Sequence, residues 1–391
     1  MLLRASTLLL FSAAACSPAA ASSLVVGQGW ALSQERITVN FTNVTQDVAF
    51  DFVPAEADGT SIQVLAARTP VALLAWCRPA AGKPMTATLA TDLPRPRSFD
   101  VAYLLRGLSW RASYQLIVRA DPDREDAPVS MDVDGRITIR NTSGGAWSNA
   151  ALRLVGADAR PQTADREHGM LELDESSPLA DLWLPPAPEN ATAFAYDFDR
   201  PATLRANEER SLTFVSVERR NAERRYLFSS DDIPPDTIGP GKPLKRCIAL
   251  KNDAEHGLGR DLPSGTAQIF IGSVRATLGE SAWFDRTPAS GEIRIELGPS
   301  QRVRGLRRCT GRIAGAPGQI EWSYEIEIRN DLDSPARVEI EEQPPAQQDW
   351  DVVRSDLAYE IRRRRLEFRR EIPARDRFII HYTIRVSEPK K

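Results

Sequence analysis

From Leu24 onward apolar and polar positions alternate with a period of two, the spacing of a strand with one face in a core and one in solvent. Residues 36–41, 135–140 and 323–328 show it most cleanly, and 266–271, 292–297, 338–340 and 378–386 follow the same rule. Helical spacing is scarce, with room for one short helix at 172–182. Many short strands with turn residues between them predict an all-β protein of two to three immunoglobulin-like β-sandwich modules.

A loose echo runs through these strands. An Asn closes a strand, a polar turn follows and a second strand returns: first Asn40 and Asn43, then Asn141, Asn252 and Asn330. Asn suits that place because its side chain caps a turn and its backbone tolerates left-handed angles. Several immunoglobulin-like hairpins in one chain would produce such an echo.

Punctuation sets candidate boundaries. Pro94, Arg95 and Pro96 close an N-terminal β domain at 24–95, and a central β domain follows at 96–235. The stretch from Pro234 to Gly241 opens a C-terminal β-sandwich domain at 236–391. Residues 157–190 are polar, Pro-rich and poorly periodic, and read as a partly disordered central insertion.

The 391 residues are 42% hydrophobic and 26% charged, which suits a globular chain of several domains and excludes wholesale disorder. A formal net charge of −3 lacks the basic excess of a nucleic-acid binder. The N-terminus is more informative. Arg4 precedes the apolar run 8–15, which is too short for a bilayer needing ~20 residues and fits a secretory signal. No later segment is apolar enough for a transmembrane helix.

Two cleavage readings compete. A signal peptide at 1–21 ends in Ala19, Ala20 and Ala21; alternatively Ala13, Ala14, Ala15 and Cys16 form a lipobox with Ala where the consensus has Leu. Cys16 would then carry acyl chains, each buried methylene adding ~0.8 kcal/mol of membrane affinity. The expected location is periplasmic, or anchored to the outer membrane through Cys16.

Candidate chemistry is sparse. Cys247 and Cys309 fall in one candidate domain and are the expected disulfide pair in an oxidising compartment, leaving Cys77 as a small buried apolar residue. His168, His256 and His381 have no metal spacing, and no nucleophile elbow, phosphate loop or dinucleotide fingerprint is present. No metal or other cofactor is therefore expected. Asp197 with Asp199, and Asp231 with Asp232, are candidate carboxylate pairs for a glycoside hydrolase, which needs two carboxyls ~5–10 Å apart. The run Arg362, Arg363, Arg364 and Arg365, with Arg369 and Arg370 beyond, offers contact with anionic envelope material. Its competing reading is a charged hairpin or edge strand that deters edge-to-edge pairing.

One block of the chain is recognisable. Gly107, Trp110 and Tyr114, followed by Asn141, Gly144, Trp147 and Asn149, resemble the bacterial domain of unknown function 4139 family. Later blocks at 204–215, 262–265, 277–280 and 324–330, Trp350 and the closing 381–383 extend the likeness over about 99–386. Mucoidy inhibitor A type proteins carry this domain together with a coiled coil, for which no heptad pattern exists here. The resemblance implies a shape and brings no established activity.

The motif residues read as structural. Trp110 and Tyr114 lie four apart on one strand face, where large aromatics fill a core and a Tyr hydroxyl can tie down a corner. Gly107, Gly144 and Gly145 would supply turn angles, and exposed Trp147 or Trp183 is the minority candidate for a ligand contact. The expected function is a non-catalytic envelope protein that binds or organises the surface, its partner an envelope protein or polysaccharide. The alternatives are a carbohydrate-active hydrolase using loop carboxylates and an assembly factor that offers an edge strand to clients.

Overall fold

The computed structural model describes residues 17–65, 70–78, 84–120, 124–157, 193–231, 233, 241–272, 277–316, 318–344, 349–362 and 364–387. The first half holds β1 (Ser17–Val26), β2 (Trp30–Asn40), β3 (Thr45–Phe50), β4 (Gln63–Leu65), β5 (Val71–Cys77) and β6 (Met85–Thr91). It continues with β7 (Pro96–Arg106), β8 (Leu108–Arg119), β9 (Val129–Asn141), β10 (Trp147–Ala157), β11 (Ala193–Asp197) and β12 (Ala202–Leu204). The second half holds β13 (Glu208–Ser229), β14 (Lys242–Lys251), β15 (Gly265–Ile271), β16 (Thr277–Phe284), β17 (Glu292–Ala314) and β18 (Gln319–Asn330). Last come β19 (Ala336–Glu342), β20 (Asp349–Ser355), β21 (Tyr359–Arg362), β22 (Arg365–Ile372) and β23 (Arg377–Ser387). One 3-10 turn, Gly59–Ser61, is started by the Asp58 side chain accepting from the Thr60 amide. The protein is all-β, and every segment whose alternation predicts a strand is one. The expected helix at 172–182 and the insertion 157–190 lie, apart from Ala157, outside the described residues.

Period two explains the packing. Along β8 the side chains of Leu108, Trp110, Ala112, Tyr114, Leu116 and Val118 are buried while their neighbours face outward. They pack on a seven-stranded sheet ordered β11-β10-β1-β2-β7-β4, with β12 also on β10. A thirteen-stranded sheet runs β16-β15-β8-β9-β13-β14-β17-β18-β23-β20, with β19, β21 and β22 off that path, and β3-β6-β5 form a third.

The cores divide the chain differently from the punctuation. Leu24, Ile37, Val48 and Leu89 share one apolar cluster with Tyr103, Trp110 and Ile139, so residues 24–95 do not form a separate core. β2 pairs with β7 from Trp30 to Asn40, which makes Pro94 and Arg95 a turn at one end of that sheet rather than a linker. Ile248, Leu262, Phe284 and Ile293 also belong to this first core, whereas Tyr226 and Phe228 belong to the second with Val303, Tyr324, Ile340 and Tyr382. The crossing between the cores therefore falls within strands and not near residue 236. β13 and β17, of 22 and 23 residues, each run from one core into the other. The crossing is marked by irregular register between Val217 and Arg220 in β13, and near Pro299 in β17. Glu125, from the β8–β9 connection, bridges the two cores: its carboxylate accepts from Ser300 Oγ at 2.7 Å, the Gln301 amide at 3.3 Å and the Tyr226 hydroxyl at 3.3 Å.

The Asn echo proves to be one buried device used three times. Asn141, Asn252 and Asn330 are each at most 2% exposed. Asn330 Nδ2 donates to the carbonyls of Ser334, Ile372 and Pro373, and its Oδ1 accepts from the Leu332 amide. Asn252 does the same with Arg260, Thr287 and Pro288, accepting from Gly259. Asn141 donates to Gly145 and Arg205 and accepts from Ser143. None of the three has a positive φ, so left-handed tolerance is not why Asn stands there. Buried carbonyls at strand ends need donors, and the amide supplies them. Asn40 and Asn43 are exposed and lack the device.

The second core encloses charge. Arg307 and Glu342 are 2% and 1% exposed and meet at 2.9 Å, and the Tyr382 hydroxyl donates to the same carboxylate oxygen at 2.5 Å. The guanidinium lies 4.1 Å over the Tyr324 ring, which stacks on Tyr382. Burial pushes the Glu342 carboxyl and the Tyr382 hydroxyl above their ordinary values.

Candidate functional site

A cleft of about 610 Å³ opens beside β11, β12 and β13. Its aromatic walls are Tyr196 on β11, Phe198 just beyond it and Phe214 on β13, and its rim carries Asp199, Arg260 and Asp261. That volume lies within the usual range for small-ligand sites.

The recognisable motif stands directly behind those walls. Trp110 meets Tyr196 edge-on at 5.8 Å, and Tyr114 meets Phe214 edge-on at 5.8 Å. Trp110 Nε1 donates to the Val155 carbonyl at 3.0 Å, and the Tyr114 hydroxyl donates to the Pro263 carbonyl at 2.5 Å. Pro263 itself lines the cleft. The two residues expected to fill a core and tie a corner do both, and in doing so they fix the rings that face the cleft. Edge-to-face pairs of this kind contribute about 0.5–1.5 kcal/mol beyond burial.

Ion pairs fix the rim. Asp199 accepts from Arg260 at 2.6 Å, and Arg260 also donates to the Phe214 carbonyl at 3.2 Å. Asp197 takes a two-pronged contact from Arg153 at 2.6 and 2.9 Å, and Asp261 accepts from the Ala289 amide at 2.8 Å and from Arg286 at 2.5 Å. Arg286 in turn lies 3.5 Å over the Phe194 ring. The Arg153 hydrogen bond holds the Asp197 carboxyl below the usual range, and the Ala289 amide followed by Arg286 does so for Asp261. Asp197, Asp199 and Asp261 are thus each engaged by an arginine. Of the other candidate pair, Asp231 bonds Arg365 at 3.1 Å and Asp232 lies outside the described residues.

The remaining motif residues are structural. Trp147 is 2% exposed and its Nε1 donates to Ser33 Oγ at 2.9 Å, which corrects the reading of an exposed ligand contact; Trp183 lies outside the described residues. Gly107 has φ +93° at the turn between β7 and β8, as expected. Gly144 and Gly145 do not have positive φ; Gly145 is needed for space, since a Cβ would stand 2.6 Å from the Trp147 ring. Asn149 takes φ 56° at the irregularity where β10 meets β12.

The cysteines correct two expectations. Cys247 of β14 lies opposite Glu296 of β17, and Cys309 stands far along that same β17, roughly 40 Å from Glu296 at ~3.3 Å per residue. A disulfide needs Cα atoms within about 7 Å, and both thiols are free. Burial pushes the Cys247 thiol up to about 12. Cys77, expected buried, is exposed at the end of β5. Cys16 and His168 lie outside the described residues. His256 and His381 bond Asp253 and Asp356 at 2.6 and 3.0 Å, and no group of metal-binding side chains forms among the described residues.

The arginine run is a hairpin. Arg362 pairs with Arg365 across the β21–β22 turn, where Arg364 has φ 63°, and Arg363 lies outside the described residues. Arg362 bonds Glu360 at 2.7 Å, and Arg365 bonds Asp231 and Glu341, each at 3.1 Å. Arg369 reaches Glu367 at 3.6 Å. This is the charged-hairpin reading, with the positive charge largely matched by neighbouring carboxylates. No helix among the described residues is long and apolar enough to cross a membrane.

A family model described as a domain of unknown function (DUF4139) matches residues 99–390. No curated protein matches the chain. The matched segment begins inside β7, so β1 and β2 precede it although both are strands of the same sheet.

Proposed function

We propose a non-catalytic binding role in the cell envelope for this chain, which belongs to the DUF4139 family. The ligand is a segment of envelope polysaccharide seated against Tyr196, Phe198 and Phe214. A sugar ring has an apolar C–H face that packs on an aromatic wall, and hydroxyls that bond to polar groups held in place. The observation that carries this reading is the backing of Tyr196 and Phe214 by Trp110 and Tyr114. Rings locked by packing bind with less ordering cost than free ones. The rim supports it as well: Asp197, Asp199 and Asp261 are each bonded to an arginine, which suits recognition better than proton transfer. The signal-like segment at 1–21, or Cys16 as a lipid anchor, would bring the cleft to the envelope.

Calorimetric titration of the mature protein with fragments of the host's own envelope polysaccharides tests the proposal. Saturable binding that weakens at least tenfold in Phe198→Ala, with an unchanged melting temperature, is the expected result. No binding to any fragment, or release of reducing ends during titration, defeats it.

A further inference from the structure

Charge at the cleft is unevenly matched. Among the described residues its lining carries three carboxylates, Asp197, Asp199 and Asp261, and two guanidiniums, Arg200 and Arg260. Arg153 and Arg286 stand outside the lining, and with them each carboxylate has its own arginine. Arg153 takes Asp197, Arg260 takes Asp199 and Arg286 takes Asp261. Arg200 is the remainder. It is exposed, and no carboxylate among the described residues pairs with it.

The backbone around Arg200 is held on both sides. The Phe198 amide donates to the Leu152 carbonyl at 3.0 Å, and Ala202 pairs with Ala150, so the segment 198–202 is tied to β10 at each end. Pro201 follows Arg200 directly and disfavours a helical backbone there. The Arg200 backbone is therefore fixed at the border of the aromatic wall, and its long side chain is left to reach a ligand.

We infer that the glycan this cleft takes is acidic, a polysaccharide whose sugar rings carry a carboxylate, and that Arg200 is the residue that selects it. The inference rests on the glycan reading of the cleft. A uronic acid has two unlike parts, a C–H face that packs on an aromatic ring and a carboxylate that projects from the ring's edge. Tyr196, Phe198 and Phe214 meet the first part and Arg200 meets the second. A guanidinium binds a carboxylate through two parallel N–H···O bonds, a fit that a sugar hydroxyl does not give. The matched pairs act in the same direction. Standing alone, the three aspartates would repel an anion; each beside an arginine, they present little net charge to it.

The test uses the mature full-length protein and fragments of the host's envelope polysaccharides, separated by anion exchange into neutral and acidic pools and titrated calorimetrically. The acidic pool should bind more tightly than the neutral one by about tenfold or more, the worth of one charge-assisted contact. Reducing its carboxylates to alcohols should remove that advantage. Arg200→Gln should bind the acidic pool as weakly as the wild type binds the reduced pool, with unchanged melting. Neutral fragments that bind as tightly as acidic ones overturn the inference and leave the glycan reading standing, as does an Arg200→Gln variant that keeps the preference. Acidic-pool binding that survives carboxyl reduction overturns it in favour of a phosphate-bearing glycan. Absence of binding by either pool defeats the inference and the glycan reading together.

Discussion

The Tyr114 hydroxyl donates to the Pro263 carbonyl at 2.5 Å, joining residues 149 apart in the chain. The same ring stacks on Phe284 at 3.9 Å and braces Phe214 edge-on. One side chain therefore ties β8 to the loop before β15 and holds a wall of the cleft. Tyr114→Phe should cost about 1–3 kcal/mol, because a buried carbonyl loses its donor. Tyr114→Ala should cost about 3–5 kcal/mol by adding a cavity. Urea midpoints measure both, and equal loss in the two variants would contradict the assignment of a separate hydroxyl contribution.

The buried asparagines make a sharper demand. Asn330 Nδ2 serves three carbonyls, so the replacement that keeps shape and removes the donor is the informative one. Asn330→Asp should destabilise by on the order of 3 kcal/mol or more, at least as much as Asn330→Ala, since a carboxylate facing carbonyls adds repulsion. If the aspartate variant kept wild-type stability, the amide would not be the donor these strand ends depend on.

Within the second core the Arg307–Glu342 pair predicts strong non-additivity. Glu342→Gln leaves a buried guanidinium without its counter-charge and should cost about 3–5 kcal/mol. Converting Arg307 to Met, Glu342 to Leu and Tyr382 to Phe together should recover most of that loss, because apolar replacement of a whole buried pair is commonly neutral or better. Thermal melts of the single and triple variants decide the matter; a triple variant worse than the single one counts against it.

Acid should loosen the first core through Asp261. Its carboxyl is held below the ordinary value of 3.8 by the Ala289 amide and then by Arg286. A depressed folded-state pKa contributes stability that is present above the unfolded value and is lost as pH falls through the folded one. Melting temperature should therefore decline from about pH 4 downward. Asp261→Asn should flatten part of that decline, while an unchanged slope would locate the acid sensitivity elsewhere.

Cysteine labelling gives a direct reading of the two corrected expectations. In the native protein at mildly alkaline pH an alkylating reagent should modify Cys77, which is exposed, and leave Cys247, whose buried thiol is pushed up to about 12. Peptide mapping under non-reducing conditions should recover Cys247 and Cys309 in separate peptides.

The strands themselves were legible from the chain, because a strand with one buried face must alternate, and β8, β9, β18 and β23 do so over most of their length. The motif aromatics were equally legible as core residues: Trp110 and Tyr114 share a parity, and parity decides the face. What the sequence could not show is which strands meet. β1 lies parallel to β10, and β2 pairs along β7, over distances that no local pattern encodes. Domain boundaries were misread for the same reason. Pro94 marks a turn inside one core, whereas the crossing between cores runs through the middle of β13 and β17, where the strands continue through an irregular register.

The cleft belongs wholly to the tertiary structure. Tyr196, Phe214 and Arg260 come from three separated segments and carry no shared motif. That Arg153 bonds Asp197 and Arg260 bonds Asp199 could not be read from the chain. Alternation along a strand is a local property and is written in the residues. The pairing of edges, the backing of one ring by another and the partner that claims each charge are long-range, and only the folded chain brings them together.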